Sequence, residues 1–273
     1  MLYLIATPIG NLGDITFRAV ETLKAADEIW CEDTRHTAIL LNHLGIKKPL
    51  VSCHEHTEKS RAALLVEKLR AGLTVAYVSD AGMPGISDPG ALLVQACIEE
   101  GLPYPVLPGA CAFVTAAVLS GLDASTVCFF GFLPRTGKER KERLQKIAGC
   151  GATAILYESP HRVHDTLGEL LSLIGDAPAC LCRELTKLHE TAHRGTLQSL
   201  YGETGEAEVK GECVLLVAVP EKKAEESAED LDTLLRRLLG EMSTRDAAAE
   251  AARLTGLNKK QAYARALELK ETL

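Results

Sequence analysis

A chain of 273 residues with 47% hydrophobic content can bury a substantial core, and its length suits one large or two modest domains. Aromatic residues make up only 4%, so that core has to come from Ala, Val, Leu and Ile. Apolar runs such as 2–6 and 214–219 stop far short of the ~18–20 residues of a membrane helix, and no basic stretch precedes the first strand, so a soluble cytoplasmic protein is expected.

The net charge of −7 runs against nucleic-acid binding by the chain as a whole, because phosphate contacts dominate such affinity. Its distribution matters more. Residues 135–146 carry a local charge of +4 and residues 231–273 one of +2. Either patch taken alone is also what a solvated helix face looks like. The nine cysteines are scattered among apolar runs without a Cys-x-x-Cys, which predicts buried free thiols in a reducing compartment and no metal.

In chain order, residues 2–7 read as a strand, 15–25 as a helix, 28–32 as a strand and 34–44 as a helix closed by Gly45. Helical periodicity over 59–71 ends at Gly72, and a strand over 74–79 runs into the loop 80–90. A helix over 91–100, a strand near 104–107 and a helix near 111–119 complete a first α/β half, 1–120, with a largely parallel sheet. A second α/β half, 121–220, has strands at 127–132, 152–157, 179–185 and 211–219. Its helices are the basic segment 137–148 and one starting at Pro160 behind a Ser159 cap. The charged stretch 221–230 reads as a linker. Three short helices follow within 231–273, near 232–239, 244–255 and 259–270, with Ser243 and Asn258 as caps and Gly256 as a stop. They suit a helix-turn-helix nucleic-acid module, and a dimerisation appendage nearly as well.

Two loops carry the chemistry. Thr7-Pro-Ile-Gly-Asn-Leu-Gly-Asp14 follows the first strand, and Ser79-Asp-Ala-Gly-Met-Pro-Gly-Ile-Ser-Asp-Pro-Gly90 follows a later one. Both lie outside strand carboxyl ends, where open α/β sheets bind ligands, and their glycines permit close backbone approach. Glu32 and Asp33 fall about twenty residues after the first glycines, where a dinucleotide fold has its ribose-binding acid, but Gly-x-Gly-x-x-Gly is absent. That fold also gives the second loop no role. His54 and His56 flank Glu55 without a further ligand at metal spacing, and read as a solvated loop.

Together LIATPIGNLGDITFRA (4–19), EDTR (32–35), SDAGMPGISDPG (79–90), PGA (108–110), GFLP (131–134), YESPHR (157–162) and RELTKLHE (183–190) make a specific combination. It resembles the ribosomal RNA small subunit methyltransferase I branch of the tetrapyrrole-methylase (class III) superfamily. The chain departs from that pattern at Cys31, Met83, Gly85 and Cys111, and at position 83 a hydroxyl contact is lost.

The resemblance implies two α/β domains with S-adenosylmethionine in the cleft between them, a small C-terminal helical segment, and a homodimer. It implies methylation of a cytidine ribose 2′-oxygen in the decoding region of 16S ribosomal RNA (cytidine 1402 in RNA numbering), on the RNA or on the small subunit. The implied cofactor contacts are Pro8, Gly10, Leu12, Asp80, Ala81, Gly82, Met83, Ala112, Phe113 and Tyr157. Displacement at a sulfonium needs alignment and no metal, and a ribose hydroxyl needs help losing its proton. Glu32, Asp33, Arg35, Glu158, His161, Arg162 and Glu184 fall at the ligand edge of the strands and are the catalytic candidates, with Lys187 and Glu190 beside the last. Each also has a structural reading, such as an Arg162–Glu158 pair. Arg135, Lys138, Arg140, Lys141, Lys259 and Lys260 are the candidate RNA contacts. A superfamily methyltransferase for a tetrapyrrole or a protein side chain does not need these basic segments. A non-catalytic RNA-binding protein does not need the two loops.

Overall fold

The computed structural model describes all residues but 207, 222–224, 256 and 272–273, together with the backbone alone of 55, 225–230, 254 and 271. The described chain falls into two compact units, Met1–Pro220 and Glu221–Leu273. No helix among the described residues is long and apolar enough to cross a membrane.

The first unit opens with a five-stranded parallel sheet in the order β3-β2-β4-β1-β5. Its strands are β1 (Leu2–Ile5), β2 (Glu28–Cys31), β3 (Leu50–Ser52), β4 (Val75–Val78) and β5 (Val106–Leu107). Side chains alternate across a strand, and here both faces are apolar. Leu2, Leu4, Trp30, Val75 and Tyr77 pack on α3 (Glu55–Arg70) and α4 (Ala91–Glu99). Ile5, Ile29, Cys31, Ala76 and Val78 face α1 (Phe17–Ala25) and α2 (Thr34–His43). Covering both faces brings five loops out along one edge, the carboxyl ends of the strands.

The second sheet, unlike the first, is mixed. Its order is β6-β7-β10-β8-β9, and only β6 (Val127–Phe132) and β7 (Thr153–Glu158) run parallel. β10 (Cys213–Ala218) lies antiparallel between β7 and β8 (Pro178–Arg183), and β9 (Thr191–Thr196) closes the edge antiparallel to β8. One face packs on α6 (Gly137–Ala148), α7 (Val163–Ile174) and α8 (Leu197–Glu206). The other face, with Ile155, Cys180, Cys182, Val214 and Leu216, is covered by α5 (Ala112–Ser120) and by Ile9. A helix entered from the first sheet therefore shields the second, so the loops of both meet.

Other differences are local. β3, β9 and α8 have no counterpart in the sequence reading: β3 is three residues long, and β9 carries Thr, His, Arg and Gly in place of an apolar run. His54 caps α3, which starts four residues earlier than its periodicity suggests, so His54 and His56 belong to a helix start and not to a loop. α7 begins at Val163, not Pro160. Ser159 instead closes the preceding turn, its carbonyl accepting from the backbone N–H of Arg162 and Val163. All nine cysteines are free thiols, six of them buried and three partly exposed.

The second unit is a bundle of α9 (Glu225–Leu239), α10 (Thr244–Thr255) and α11 (Lys259–Glu271) around Leu235, Ala247, Ala251, Ala262 and Ala266. α9 takes in six of the ten residues expected as a linker. Ser243 Oγ accepts from Asp246 N and Asn258 Oδ1 from Lys260 N, as cap residues do. The Gly256 stop lies outside the described residues.

Candidate active site

The two glycine-rich loops are hydrogen-bonded to each other. Thr7 N donates to Gly82 O at 2.9 Å, and Gly82 N donates to Thr7 O at 3.1 Å. Thr7 Oγ1 adds a bond to Ser79 O at 3.2 Å. This bridge needs Gly82 at φ +81°, in the left-handed region, where an added Cβ would stand 3.2 Å from Ile9 Cγ2. Further along, α4 starts at Gly90, which has no side chain to cap the free N–H groups. Buried Glu58 on α3 does it instead: Oε1 accepts from Gly90 N and Leu92 N, both at 2.8 Å, and from Leu93 N at 3.4 Å. Nothing local in the sequence marks Glu58, because the helix it caps lies some thirty residues away.

A cavity of about 370 Å³ opens between the second loop and the ends of β7 and β10. Ala81, Gly82, Met83, Ala112 and Tyr157 line it, as do Ile9, Phe132, Leu185, Val214 and three acids, Asp88, Glu158 and Glu212. Among the described residues no Lys, Arg or His lines it. Phe132 and Tyr157 in this wall belong to an aromatic set that continues behind it in Phe113 and Phe129. Phe113 stacks on Phe129 with centroids 4.5 Å apart, and Phe129 and Phe132 meet Tyr157 edge-on at 5.0 and 5.4 Å. Tyr157 Oη accepts from Phe113 N at 3.2 Å, and burial pushes its phenol up to about 12.

The other expected contacts are dispersed. Pro8, Leu12 and Asp80 line a small neighbouring groove under α2. Gly10 faces neither: a Cβ there would stand 2.5 Å from Lys187 Cγ and 2.9 Å from Leu185 O, so its absence lets the two loops touch. Phe113 sits behind Tyr157, outside the cavity lining.

The catalytic candidates separate in the same way. Glu32, Asp33 and Arg35 line a shallow depression with Asp80 and His54. Asp33 caps α2 through Arg35 N at 2.8 Å and holds the Arg35 guanidinium at 2.6 Å, which drives its carboxyl far below the usual range. Its own N–H donates to Asp80 Oδ1 at 3.1 Å. Glu158 reaches the cavity wall but is bonded from every side: Arg162 at 2.6 Å, Ser159 N at 2.7 Å and Thr166 Oγ1 at 2.9 Å. His161 is exposed on the turn and absent from the lining. Glu184 stands at φ +52° in the turn after β8, accepting from Glu212 N and Lys187 Nζ, both at 2.9 Å. These bonds, the Glu212 amide first, hold its carboxyl below the usual range. Among the described residues no three metal-ligand side chains converge.

Arg140 corrects an expected RNA contact. It is buried, and its guanidinium binds Glu169, Thr166 Oγ1 at 2.9 Å and Pro134 O at 3.1 Å, with Glu158 at 4.0 Å. Helical spacing turns it inward with Leu144 and Ile147, while Arg135 and the α6 residues Lys138, Lys141, Arg143 and Lys146 stay exposed. Lys259 and Lys260 are exposed at the start of α11, where two cations oppose the helix dipole.

Comparison with known proteins fits this arrangement. The sequence profile of tetrapyrrole (corrin/porphyrin) methylases matches residues 1–201, and that of the RsmI C-terminal HTH domain matches 225–270. The chain is 45% identical to ribosomal RNA small subunit methyltransferase I of Synechocystis over 98% of both chains. It is 50% identical to that of Halalkalibacterium halodurans over 82% of this chain and 78% of the relative. The same fold occurs in uroporphyrin-III C-methyltransferase of Thermus thermophilus (TM-score 0.57, 20% identity, 79% and 96% of the two chains), one form of which holds S-adenosyl homocysteine. Diphthine synthase is similar at TM-score 0.61 and 16% identity, over 79% of this chain and 88% of that one.

Proposed function

The chain belongs to the ribosomal RNA small subunit methyltransferase I family of tetrapyrrole methylases, and on that premise we propose that it transfers methyl from S-adenosylmethionine to 16S ribosomal RNA, at the ribose 2′-oxygen of a cytidine in the decoding region. The observation that carries the cofactor reading is the cavity itself. An apolar chamber with acids and no cation in its lining suits a ligand whose sulfonium and ammonium are both positive. Bound there, the cofactor supplies a methyl group already activated for displacement. Gly82 lets the backbone close over the ligand, Met83, Ala112 and Val214 exclude water, and Tyr157 is fixed by its bond to Phe113 N. Aligning the hydroxyl with the methyl group is then the chain's main task. Pro8, Leu12 and Asp80 in the adjoining groove extend the contact surface.

RNA is favoured over a tetrapyrrole by what lies outside the shared fold. The solved neighbours with other substrates align with 79–80% of this chain, whereas two relatives bearing the ribosomal name align along 98% and 99% of it. The C-terminal bundle, which carries Lys259 and Lys260, is matched by its own profile over residues 225–270, beyond the methylase profile, and α6 carries further exposed cations. A homodimer is part of the reading, with exposed Phe17, Val118 and Leu188 as apolar surface open to a second copy. The test supplies labelled cofactor with 30S subunits, naked 16S RNA or a porphyrinogen, and maps the product by 2′-O-methyl-sensitive primer extension. Label on a cytidine ribose supports the reading, and label on the porphyrinogen alone rejects it. Light scattering gives the oligomeric state.

A further inference from the structure

Methylating a ribose hydroxyl releases a proton, and the site must hold an acceptor where that hydroxyl arrives. Three of the acids picked out from the sequence are engaged elsewhere: Asp33 with Arg35, Glu158 with Arg162 and Thr166, Glu184 with Lys187. A fourth, Glu32, lies on the depression beside α2 and not on the cavity. Of the three acids that line the cavity, Glu158 is saturated with donors. Glu212 pairs with Lys187 at 3.0 Å and turns three-quarters of its side chain to solvent. The third is Asp88, half-buried near the end of the second loop.

From this placement we propose that Asp88 is a catalytic residue of the methyl transfer, the acceptor of the ribose hydroxyl proton. The assignment rests on the functional reading above. The hydroxyl oxygen forms the new bond to the methyl carbon as the methyl–sulfur bond breaks, and that bond's electron pair leaves with sulfur. The O–H electrons stay on oxygen while the proton passes to an Asp88 carboxylate oxygen and from there to solvent. The surroundings suit a base. Ser79 and Asp80 face Asp88 from its own loop, Tyr77 from β4, and Tyr157 and Glu158 from β7. Cys111 and Glu212 complete the titratable wall, and no cation is among them. Burial raises the Asp88 carboxyl above the usual range, against a Ser79 hydroxyl contact, and Asp80 raises it further. Its field reaches the Tyr157 phenol, so it acts on the second sheet's side of the cavity as well as on its own.

Asp88→Asn tests this with three readouts. Calorimetry should give RNA affinity within about three-fold of wild type, which also verifies the fold, and a cofactor affinity lowered far less than the rate. Single-turnover transfer to 30S subunits should slow by about 10²–10⁴-fold and lose the acidic limb of its pH profile. Carbon-13 NMR of aspartate-labelled protein without cofactor should lose one carboxyl that titrates above the usual aspartate range. Asp88→Glu keeps the carboxylate and should keep the acidic limb at a reduced rate. A rate within ten-fold of wild type for Asp88→Asn overturns the assignment. So does a loss matched by weaker cofactor binding, which would make Asp88 a partner of the sulfonium. Wild-type protein that methylates no RNA would defeat the functional reading first, and the assignment with it.

Discussion

Removing the Glu58 carboxylate should loosen the second loop from a distance. Its Oε1 holds two backbone donors at 2.8 Å and a third at 3.4 Å at the start of α4, where Gly90 offers no side-chain cap. Hydrogen bonds to a charged group contribute about 1.5–3 kcal/mol each. Counting the two short ones, Glu58→Ala should cost about 3–6 kcal/mol, since buried N–H groups are left without an acceptor. For a domain of this size a loss of 1 kcal/mol lowers Tm by about 2–4 °C, so the midpoint should fall by roughly 6–24 °C. Glu58→Gln keeps an acceptor oxygen without the charge and should lose only about 1–2 kcal/mol. Urea denaturation of the three proteins gives these values, and calorimetry should show weaker cofactor binding in the order wild type, Gln, Ala. Glu58→Ala within 0.5 kcal/mol of wild type, or equal losses in both variants, would refute the cap.

Gly82→Val should abolish cofactor binding while leaving folded protein, because its φ of +81° and the Ile9 methyl 3.2 Å away reject a branched side chain. Normal affinity in a folded variant would take the loop bridge out of the site. Arg140→Ala should lower stability by about 1–3 kcal/mol, by taking the guanidinium donor away from Thr166 Oγ1, Pro134 O and Glu169, whereas replacing exposed Lys138, Lys141, Arg143 and Lys146 together should leave Tm within about 2 °C of wild type. RNA binding by the fourfold variant should lose about 0.7–0.9 in log–log salt slope per phosphate contact removed, and an unchanged slope would make α6 plain surface. Glu28 has its carboxyl lowered, first by Lys68 at 2.6 Å. Its contribution to stability is therefore complete above the ordinary glutamate range and disappears as pH falls through the lowered value. The Tm difference between wild type and Glu28→Gln should shrink as the solution is acidified from pH 6 to pH 3, and a constant difference would mean that the pair does not titrate as described.

Strand-like runs separated by amphipathic segments were enough to place β1, β2, β4 and the helices around them, because a parallel sheet buried on both faces must be written in nearly continuous apolar residues. The two ligand loops were legible for a related reason: glycine and proline density records backbone conformations that few other residues tolerate. The basic stretch 135–146 was equally plain as composition, yet its inward and outward faces were not, and Arg140 was placed with the wrong set. Asp88 stood in view within a loop already picked out, but its place on the cavity wall could not be read from the string.

What the chain order could not express is everything set by contact between distant segments. β10 inserts antiparallel between β7 and β8, partners chosen across the sheet and not along the chain, and β9, though it follows β8 directly, gives no apolar run to announce it. Glu58 becomes a cap only when α3 is laid beside α4, and Gly10 is needed only where Lys187 packs against it. Among the acids, Asp33, Glu158 and Glu184 are drawn into ion pairs while Asp88 keeps its place on the cavity, a distinction created by which cations the fold brings within reach. Local sequence determines backbone preference and apolar periodicity, which act over a few residues. Burial, charge pairing and the shape of the cleft are properties of surfaces assembled from many segments, and they exist only after the two sheets have met.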